Sequence, residues 1–202
     1  GSTLIVPFTD IVIDLKWGII PFVVFVYLAV VNSVNLTDGL DGLAGGVSSA
    51  FLVGFIGLLL IYEKFAATPT LAAENKNLLI LCFCALGALV GFLCFNVFKA
   101  KIFMGDTGSL ALGGLLTSIA VFSKTTLLIP IIGVMFVASA LSVCIQVLHF
   151  KRTGKRVFLM APLHHHFEKK GVNENRITFV YIVITIAVSA LAIAITMYAS
   201  SI

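Results

Sequence analysis

Two aspartates and an asparagine follow the first apolar segment that is long enough to cross a membrane, in the motif Asn35-Leu-Thr-Asp38-Gly-Leu-Asp41-Gly. Asp38 and Asp41 are three residues apart, so both carboxylates share a face if this turn is helical. The neighbouring Gly39 permits close approach of the backbone to a ligand. A helix N-cap would explain one acid but not the whole group. Because charge beside a membrane-spanning segment is costly and usually functional, the motif predicts a binding or catalytic site.

A third aspartate, Asp106, stands where another apolar segment begins, in the motif Phe103-Met-Gly-Asp-Thr-Gly-Ser109. Simple capping of that helix is one interpretation. However, this helix and the one after Asp41 would both present their N-terminal ends, which suit phosphate, to the same side. Carboxylates there would weaken phosphate binding unless a cation lay between, and phosphates with hard oxygen ligands favour Mg²⁺. The two motifs together predict a Mg²⁺–phosphate site at a membrane surface.

Three consecutive histidines, His164, His165 and His166, occur in a polar segment between Ala161-Pro162-Leu163 and Glu168. Adjacent histidines cannot easily all reach one metal, so a zinc site is disfavoured. Imidazoles beside lysines suit hydrogen bonds or charge contacts with a phosphorylated substrate. A polar loop with accidental clustering is the alternative.

Two amides stand near the ends of apolar segments. Asn96 lies ten residues before Asp106 and could reach the same pocket. Gln146 would either face that cleft or bridge helices through hydrogen bonds. The four cysteines all fall inside apolar segments and suggest neither a disulfide framework nor a zinc site.

The elements that must position these residues are membrane-spanning helices. The 202-residue chain is 60% hydrophobic and 11% charged, with a mean hydropathy of +1.14. A soluble domain usually carries about 25% charged residues, whereas a helix needs about 20 apolar residues to cross a bilayer. The sequence therefore predicts an all-α fold, one polytopic transmembrane helix bundle over residues 1–202, with about six spans at residues 17–34, 42–62, 78–98, 107–123, 126–148 and 177–199.

The distribution of basic residues predicts the orientation of these spans. Nine of the thirteen lysines and arginines fall in the loops 35–41, 99–106 and 149–176, which lie on one side. The positive-inside rule makes that side cytoplasmic. All four histidines and the three aspartates of the motifs lie on it. A multi-pass membrane protein with its active face toward the cytoplasm is the resulting expectation.

The motifs at residues 35–42, 103–109 and 161–168 together resemble those of the phospho-N-acetylmuramoyl-pentapeptide transferase family. The first two also resemble the wider superfamily of polyprenyl-phosphate sugar-1-phosphate transferases, whereas the Ala-Pro-Leu-His-His-His run is similar to this branch in particular. The resemblance implies transfer of phospho-MurNAc-pentapeptide from UDP-MurNAc-pentapeptide to undecaprenyl phosphate, which gives lipid I and UMP in peptidoglycan synthesis. It also implies a requirement for Mg²⁺.

The resemblance further implies roles for individual residues. Asp106 would bind the metal, and Asp38 would be a second essential acid near the metal and the diphosphate. His165 is included with Asp38 and Asp106 in the expected catalytic set. The expected substrate-binding set, with Phe103 stacking on uracil, comprises Asn35, Gly39, Leu40, Asp41, Asn96, Phe103, Gln146, His164, His165 and His166.

The chain departs from the family pattern in its extent, since it matches the last six of about ten spans. The family's adjacent aspartate pair, which includes the usual candidate for the base that activates the lipid phosphate, has no counterpart here. The expectation is that this chain alone is inactive. Expected partners are the two substrates, the bilayer and nucleoside inhibitors, with no nucleic acid. A homodimer is implied by the resemblance alone.

Three alternatives remain open at this point. One is a related transferase that acts on UDP-N-acetylglucosamine, which the histidine run disfavours. Another is an ion-coupled transporter, which would bind ions at the bilayer midplane rather than at span ends. The last is a fragment that binds nucleotide without turnover.

Overall fold

The computed structural model describes residues 2–9, 11–65 and 68–200, and it is mostly helical. Two short antiparallel strands, β1 (Thr3–Ile5) and β2 (Val12–Asp14), precede the first helix. Within these described residues, six helices are long and apolar enough to cross a membrane, which confirms the predicted all-α polytopic bundle. The helices are α1 (Ile19–Thr37), α2 (Leu43–Lys64), α3 (Pro69–Asn96), α4 (Gly105–Phe122), α5 (Ile129–Ile132), α6 (Val134–Thr153), α7 (Leu163–Lys169) and α8 (Glu174–Ser200).

Helix α2 is the central helix of the bundle, and it is the most buried of the six spans. It packs against α3 on one side and α8 on another. Glycines make its contact with α8 close: a Cβ at Gly46 would lie 2.5 Å from Ile182 Cδ1, and one at Gly54 would lie 2.5 Å from Ser189 Oγ. Small residues at such contacts let membrane helices pack by van der Waals contact, where lipid supplies little hydrophobic drive.

Helices α1 and α4 form a second close pair. A Cβ at Gly113 of α4 would lie 2.7 Å from the Cα of Val31, so the two backbones meet directly. The hydroxyls of Tyr27 and Ser118 hydrogen-bond across the same pair at 2.7 Å. This contact matters for the site because Asp38 directly follows α1 and Asp106 lies in the first turn of α4.

The fifth hydrophobic segment is broken, whereas the sequence predicts one span over residues 126–148. A 3₁₀ turn (Thr126–Leu128) leads into α5, and α6 begins only after Gly133. Gly133 has φ −85° and ψ 28°, which takes the chain out of the helix, and Pro130 stands in the first turn of α5. Helix α3 also begins at Pro69, nine residues before its predicted start, because its polar first turns are helical as well.

The turn 38–42, the loop 97–104 and the segment 154–173 lie together at one end of the bundle, which we call the site end. The β1–β2 hairpin lies at the other end, where the amide of Ile5 donates to the carbonyl of Lys124 at 3.4 Å. Helices α2, α4 and α8 all begin at the site end, so their N-terminal N–H groups point toward it.

Candidate active site

A cavity of about 310 Å³ opens at the site end, and its charged lining is entirely acidic among the described residues. The acids come from five positions in three separate parts of the sequence: Asp38, Asp41, Asp106, Glu168 and Glu174. The rest of the lining is Gly39, Leu40, Asn96, Phe103, Met104 and Gly105. A pocket with this charge repels an anionic ligand unless cations accompany it.

Asp38 is half-buried, and burial is the larger cause that raises the pKa of its carboxyl above the ordinary value of 3.8. The negative charge of Asp106 raises that pKa further. A carboxyl group whose ionisation is opposed by a neighbouring carboxylate is a suitable place for a cation, which would stabilise its charged form.

Asn35 holds Asp106 in place from the last turn of α1. Its amide nitrogen donates to Oδ1 of Asp106 at 3.1 Å and to Oγ of Ser109 at 2.9 Å. Asn35 therefore lies behind the metal-binding candidate and orients it. The structure thus brings Asn35 to the site, but both N–H groups of its amide are used in these two bonds and neither points into the cavity as a free donor.

Asn96 and Asp41 hold the acidic turn against the loop after α3. The side-chain oxygen of Asn96 accepts from the backbone amide of Gly42 at 3.1 Å, and its nitrogen donates to the carbonyl of Ile102 at 2.8 Å. Oδ2 of Asp41 accepts from the amide of Ala100 at 2.9 Å. Gly42 has φ +71°, a left-handed conformation that glycine adopts without strain.

Phe103 is 76% exposed at the edge of the cavity. An aromatic ring this exposed beside a polar pocket offers a face on which a planar base can stack. Phe103 therefore lies where the expected stacking on uracil would be possible, and Gly39 and Leu40 line the same cavity.

The three histidines of α7 have three different environments. Nδ1 of His165 lies 2.7 Å from Oε2 of Glu168, so this carboxylate orients the half-buried ring. Nδ1 of His166 accepts from the amide of Leu159 at 3.1 Å and thereby pins the preceding loop. His164 is fully buried between Gly39 and Tyr181, and none of the three histidines is among the residues that line the cavity. The expected set of three substrate-binding histidines is thus divided by the fold.

Gln146 lies outside the acidic cavity, in a separate apolar groove beside α6. Its side-chain oxygen accepts from the amides of Val157 and Phe158 at 3.0 and 2.9 Å, and its nitrogen donates to the carbonyl of Phe158 at 3.0 Å. Its amide thus anchors the loop after α6, and the bonds neither face the acidic cavity nor bridge two helices, which were the two alternatives left open by the sequence.

Sequence reasoning missed four lining residues, which are Met104, Gly105, Glu168 and Glu174. Glu168 stands three residues after His165, a helical spacing that could have indicated a contact between the two. Glu174 occupies the first turn of α8, where an acid is explained by capping alone. Nothing in the sequence places α8 beside the Asp38 turn.

The donor set fits Mg²⁺ better than a softer metal. Within the described ranges, no three His, Cys, Asp or Glu side chains converge as a metal cluster. Mg²⁺ usually takes one or two protein carboxylates and completes its shell with water and substrate phosphates. Asp106, with Asp38 beside it, offers such an arrangement of hard oxygen ligands.

Comparison with known proteins places this chain in a family. Residues 2–124 match the family model described as "Glycosyl transferase family 4". The chain belongs to this family. It is also 45% identical, over 193 residues, to the phospho-N-acetylmuramoyl-pentapeptide-transferase of Clostridioides difficile, an alignment that covers 96% of this chain and 57% of the relative.

Two further relatives of the same name give similar figures. The protein of Clostridium kluyveri is 46% identical over 92% of this chain and 55% of its own length, and that of Desulfitobacterium hafniense is 43% identical over 90% and 54%. The resemblance inferred from the motifs is therefore confirmed. The chain spans slightly more than half the length of these curated relatives.

Proposed function

We propose that this chain forms the nucleotide- and metal-binding side of a phospho-N-acetylmuramoyl-pentapeptide transferase in the bacterial cytoplasmic membrane. The reaction transfers phospho-MurNAc-pentapeptide from UDP-MurNAc-pentapeptide to undecaprenyl phosphate and releases UMP. One observation carries the proposal: five carboxylates and an exposed aromatic ring line a single cavity at one end of a membrane helix bundle. The names of the relatives support the choice of substrates.

The location of the cavity suits a reaction between a soluble nucleotide and a membrane lipid. Both substrates can meet only where a pocket opens at the ends of membrane-spanning helices. Phosphoryl transfer depends mainly on positioning and charge neutralisation. Bound Mg²⁺, held by Asp106 with Asp38 nearby, would neutralise the diphosphate charge in an otherwise acidic pocket.

The side chains have distinct parts in this proposal. Phe103 stacks on the uracil ring while Gly39, Leu40 and Asp41 contact the nucleotide from the acidic turn.

Other residues position these groups. Asn35 keeps Asp106 oriented, and Asn96 keeps the turn and the Phe103 loop together. His165, oriented by Glu168, meets the polar part of the donor.

The nucleotide half of the proposal is tested by UMP binding to the purified 202-residue chain. We expect binding in Mg²⁺ and its loss in a chelator, measured by calorimetry in detergent. Phe103→Ala should weaken binding by about 10-fold, because stacking of one base on an aromatic ring is worth about 1–3 kcal/mol. Phe83→Ala, which removes an exposed ring from the middle of α3 instead, is the matched control and should change nothing.

The catalytic half is tested by measuring the UMP that the full-length protein forms when both substrates are supplied. UDP-MurNAc-pentapeptide should be consumed, whereas UDP-N-acetylglucosamine should not. We expect the 202-residue chain alone to bind nucleotide but form no lipid-linked product. Turnover of UDP-N-acetylglucosamine by the full-length protein would favour the related sugar-1-phosphate transferase instead.

A further inference from the structure

His164 is fully buried, although the other residues of its helix, α7, are at least partly exposed. In the part of the chain that the structure describes, neither nitrogen of its ring has a hydrogen-bond partner. Burial of a polar ring without partners is costly. Because hydrogen bonds do not explain the burial of this ring, its packing against neighbouring residues must explain it.

The ring of His164 rests on the backbone of the acidic turn. A Cβ at Gly39 would overlap Nε2 of His164, and it would lie 3.2 Å from Cε1 of the same ring and 3.0 Å from Nε2 of His165. The backbone at Gly39 is not in the left-handed region, unlike that at Gly42. Gly39 is therefore required for the space it leaves, not for conformational freedom.

The other side of the ring faces α8. The centroids of the His164 and Tyr181 rings are 6.4 Å apart with an interplanar angle of 72°, and Tyr181 is 2% exposed. Helix α8 is tied to the acidic turn as well, because the hydroxyl of Thr178 donates to the carbonyl of Asp41 at 3.3 Å. His164 is thus wedged between the turn that carries Asp38 and Asp41 and the helix that begins at Glu174.

The ring is held in its neutral form. Burial, and secondarily the neighbouring His165, lower the pKa of His164 from 6.5 to about 4, although Glu168 acts in the opposite direction. A proton donor or acceptor for catalysis would need access to the substrate and a pKa nearer to the working pH. The environment favours a steric role.

We propose that His164 is a positioning residue, whose ring on Gly39 sets the distance of α7 from the acidic turn. This contact fixes the position of Glu168, which lines the same cavity as Asp38 and Asp41, and of the His165 ring that Glu168 orients. Only the consequence for turnover rests on the proposed function. The contact itself can be tested without any activity.

The test is a size-exchange cycle in the full-length protein with Gly39→Ala, His164→Ala and the double variant. Gly39→Ala alone should lower the thermal midpoint and reduce kcat by about 10-fold, as expected for direct neighbours coupled by roughly 1.4 kcal/mol. The double variant should recover most of both losses because the added methyl group occupies space left by the ring. The control combines His164→Ala with Gly91→Ala on α3, whose added methyl group would have no described residue within 4 Å, and its effects should be additive.

A conservative substitution distinguishes a wedge from a catalytic group. His164→Phe keeps an uncharged ring and should retain most of the thermal midpoint and of kcat. Loss of kcat in His164→Phe with an unchanged midpoint would overturn the proposal in favour of a chemical role. Additive midpoint losses for Gly39→Ala and His164→Ala would also overturn it. If the wild type shows no transferase activity, the midpoints still decide the contact while the proposed function fails separately.

Discussion

Asp38 is a site residue that the fold disfavours in its charged form. Its pKa is raised by burial and by Asp106, so the folded state favours the protonated carboxyl relative to the unfolded state. The resulting cost to stability is absent below pH 3.8 and is complete once the pH exceeds the raised pKa. At neutral pH, Asp38→Asn should therefore raise the thermal midpoint while it lowers turnover by at least about 100-fold.

Asp41 provides the contrast for that experiment. Its carboxylate accepts a hydrogen bond from the backbone amide of Ala100. Asp41→Ala therefore leaves that amide without its acceptor, whereas Asp38→Asn removes a charge repulsion. The free energy of unfolding should fall by about 1–3 kcal/mol. Calorimetric midpoints for the two variants should thus move in opposite directions. A lower midpoint for Asp38→Asn would contradict the electrostatic interpretation.

His164 predicts a separate dependence of stability on pH. Its pKa of about 4 lies below the unfolded value of 6.5, so its contribution to stability is complete above pH 6.5. That contribution is lost as the pH falls toward 4, by up to about 3 kcal/mol. Denaturant unfolding at several pH values should show this loss in the wild type and a flatter profile in His164→Phe. His149→Gln, at an exposed position, should retain the wild-type profile.

The residue types were readable from the sequence, but their division of labour was not. Asp38, Asp41, Asp106 and Phe103 line one cavity as their motifs suggest. The sequence also suggests that His164 and Gln146 contact substrate. In the structure, His164 is buried between the acidic turn and α8, and Gln146 anchors a loop. Which backbone groups or rings surround a polar side chain depends on tertiary contacts that spacing does not encode.

At the scale of elements, the approach of α1 to α4 sets the separation of Asp38 from Asp106. Gly113→Ala would force a methyl group against the backbone of Val31, which cannot rotate away as a side chain can. We expect a loss of about 1–3 kcal/mol of stability, as for other overpacked contacts. Turnover should fall as well because the bond from Asn35 to Asp106 spans the same pair.

Gly114→Ala is the matched control for Gly113→Ala. It adds the same methyl group one residue further along α4, where no described residue lies within 4 Å of it. Both changes raise helix propensity equally, so any difference in thermal midpoint reports the contact with α1. Equal midpoints for the two variants would show that the α1–α4 contact is looser than the structure indicates.

Hydropathy locates the helices well but not their interruptions. The break at Gly133 lies within an apolar run, so no polar residue marks it. Helix α7 lies within a segment predicted as a loop because its seven residues carry polar and basic groups. The break depends on the dihedral angles of one glycine, and α7 depends on contacts with neighbours such as Gly39. Hydropathy averaged over a window of residues detects neither.

At the scale of the whole molecule, the cavity and the hairpin occupy opposite ends of a bundle with six spans. The distribution of lysines and arginines predicts which end is cytoplasmic. Four lie in segments of the hairpin end and nine in segments of the site end. Positive residues are retained on the cytoplasmic side during insertion, so the acidic cavity should open toward the cytoplasm, where the donor of the proposed reaction would be dissolved.

Cysteine labelling of the full-length protein tests this orientation. The native cysteines, which include the four of this chain, are first replaced, Cys82 by alanine because it is buried. Lys64→Cys and Lys155→Cys then introduce one exposed thiol at each end, each in place of an exposed lysine. A membrane-impermeant maleimide added to intact cells should label Lys64→Cys at once and Lys155→Cys only after permeabilisation. Because both variants lose one lysine and should label equally in permeabilised cells, the reverse pattern in intact cells could arise only if the cavity opened away from the cytoplasm.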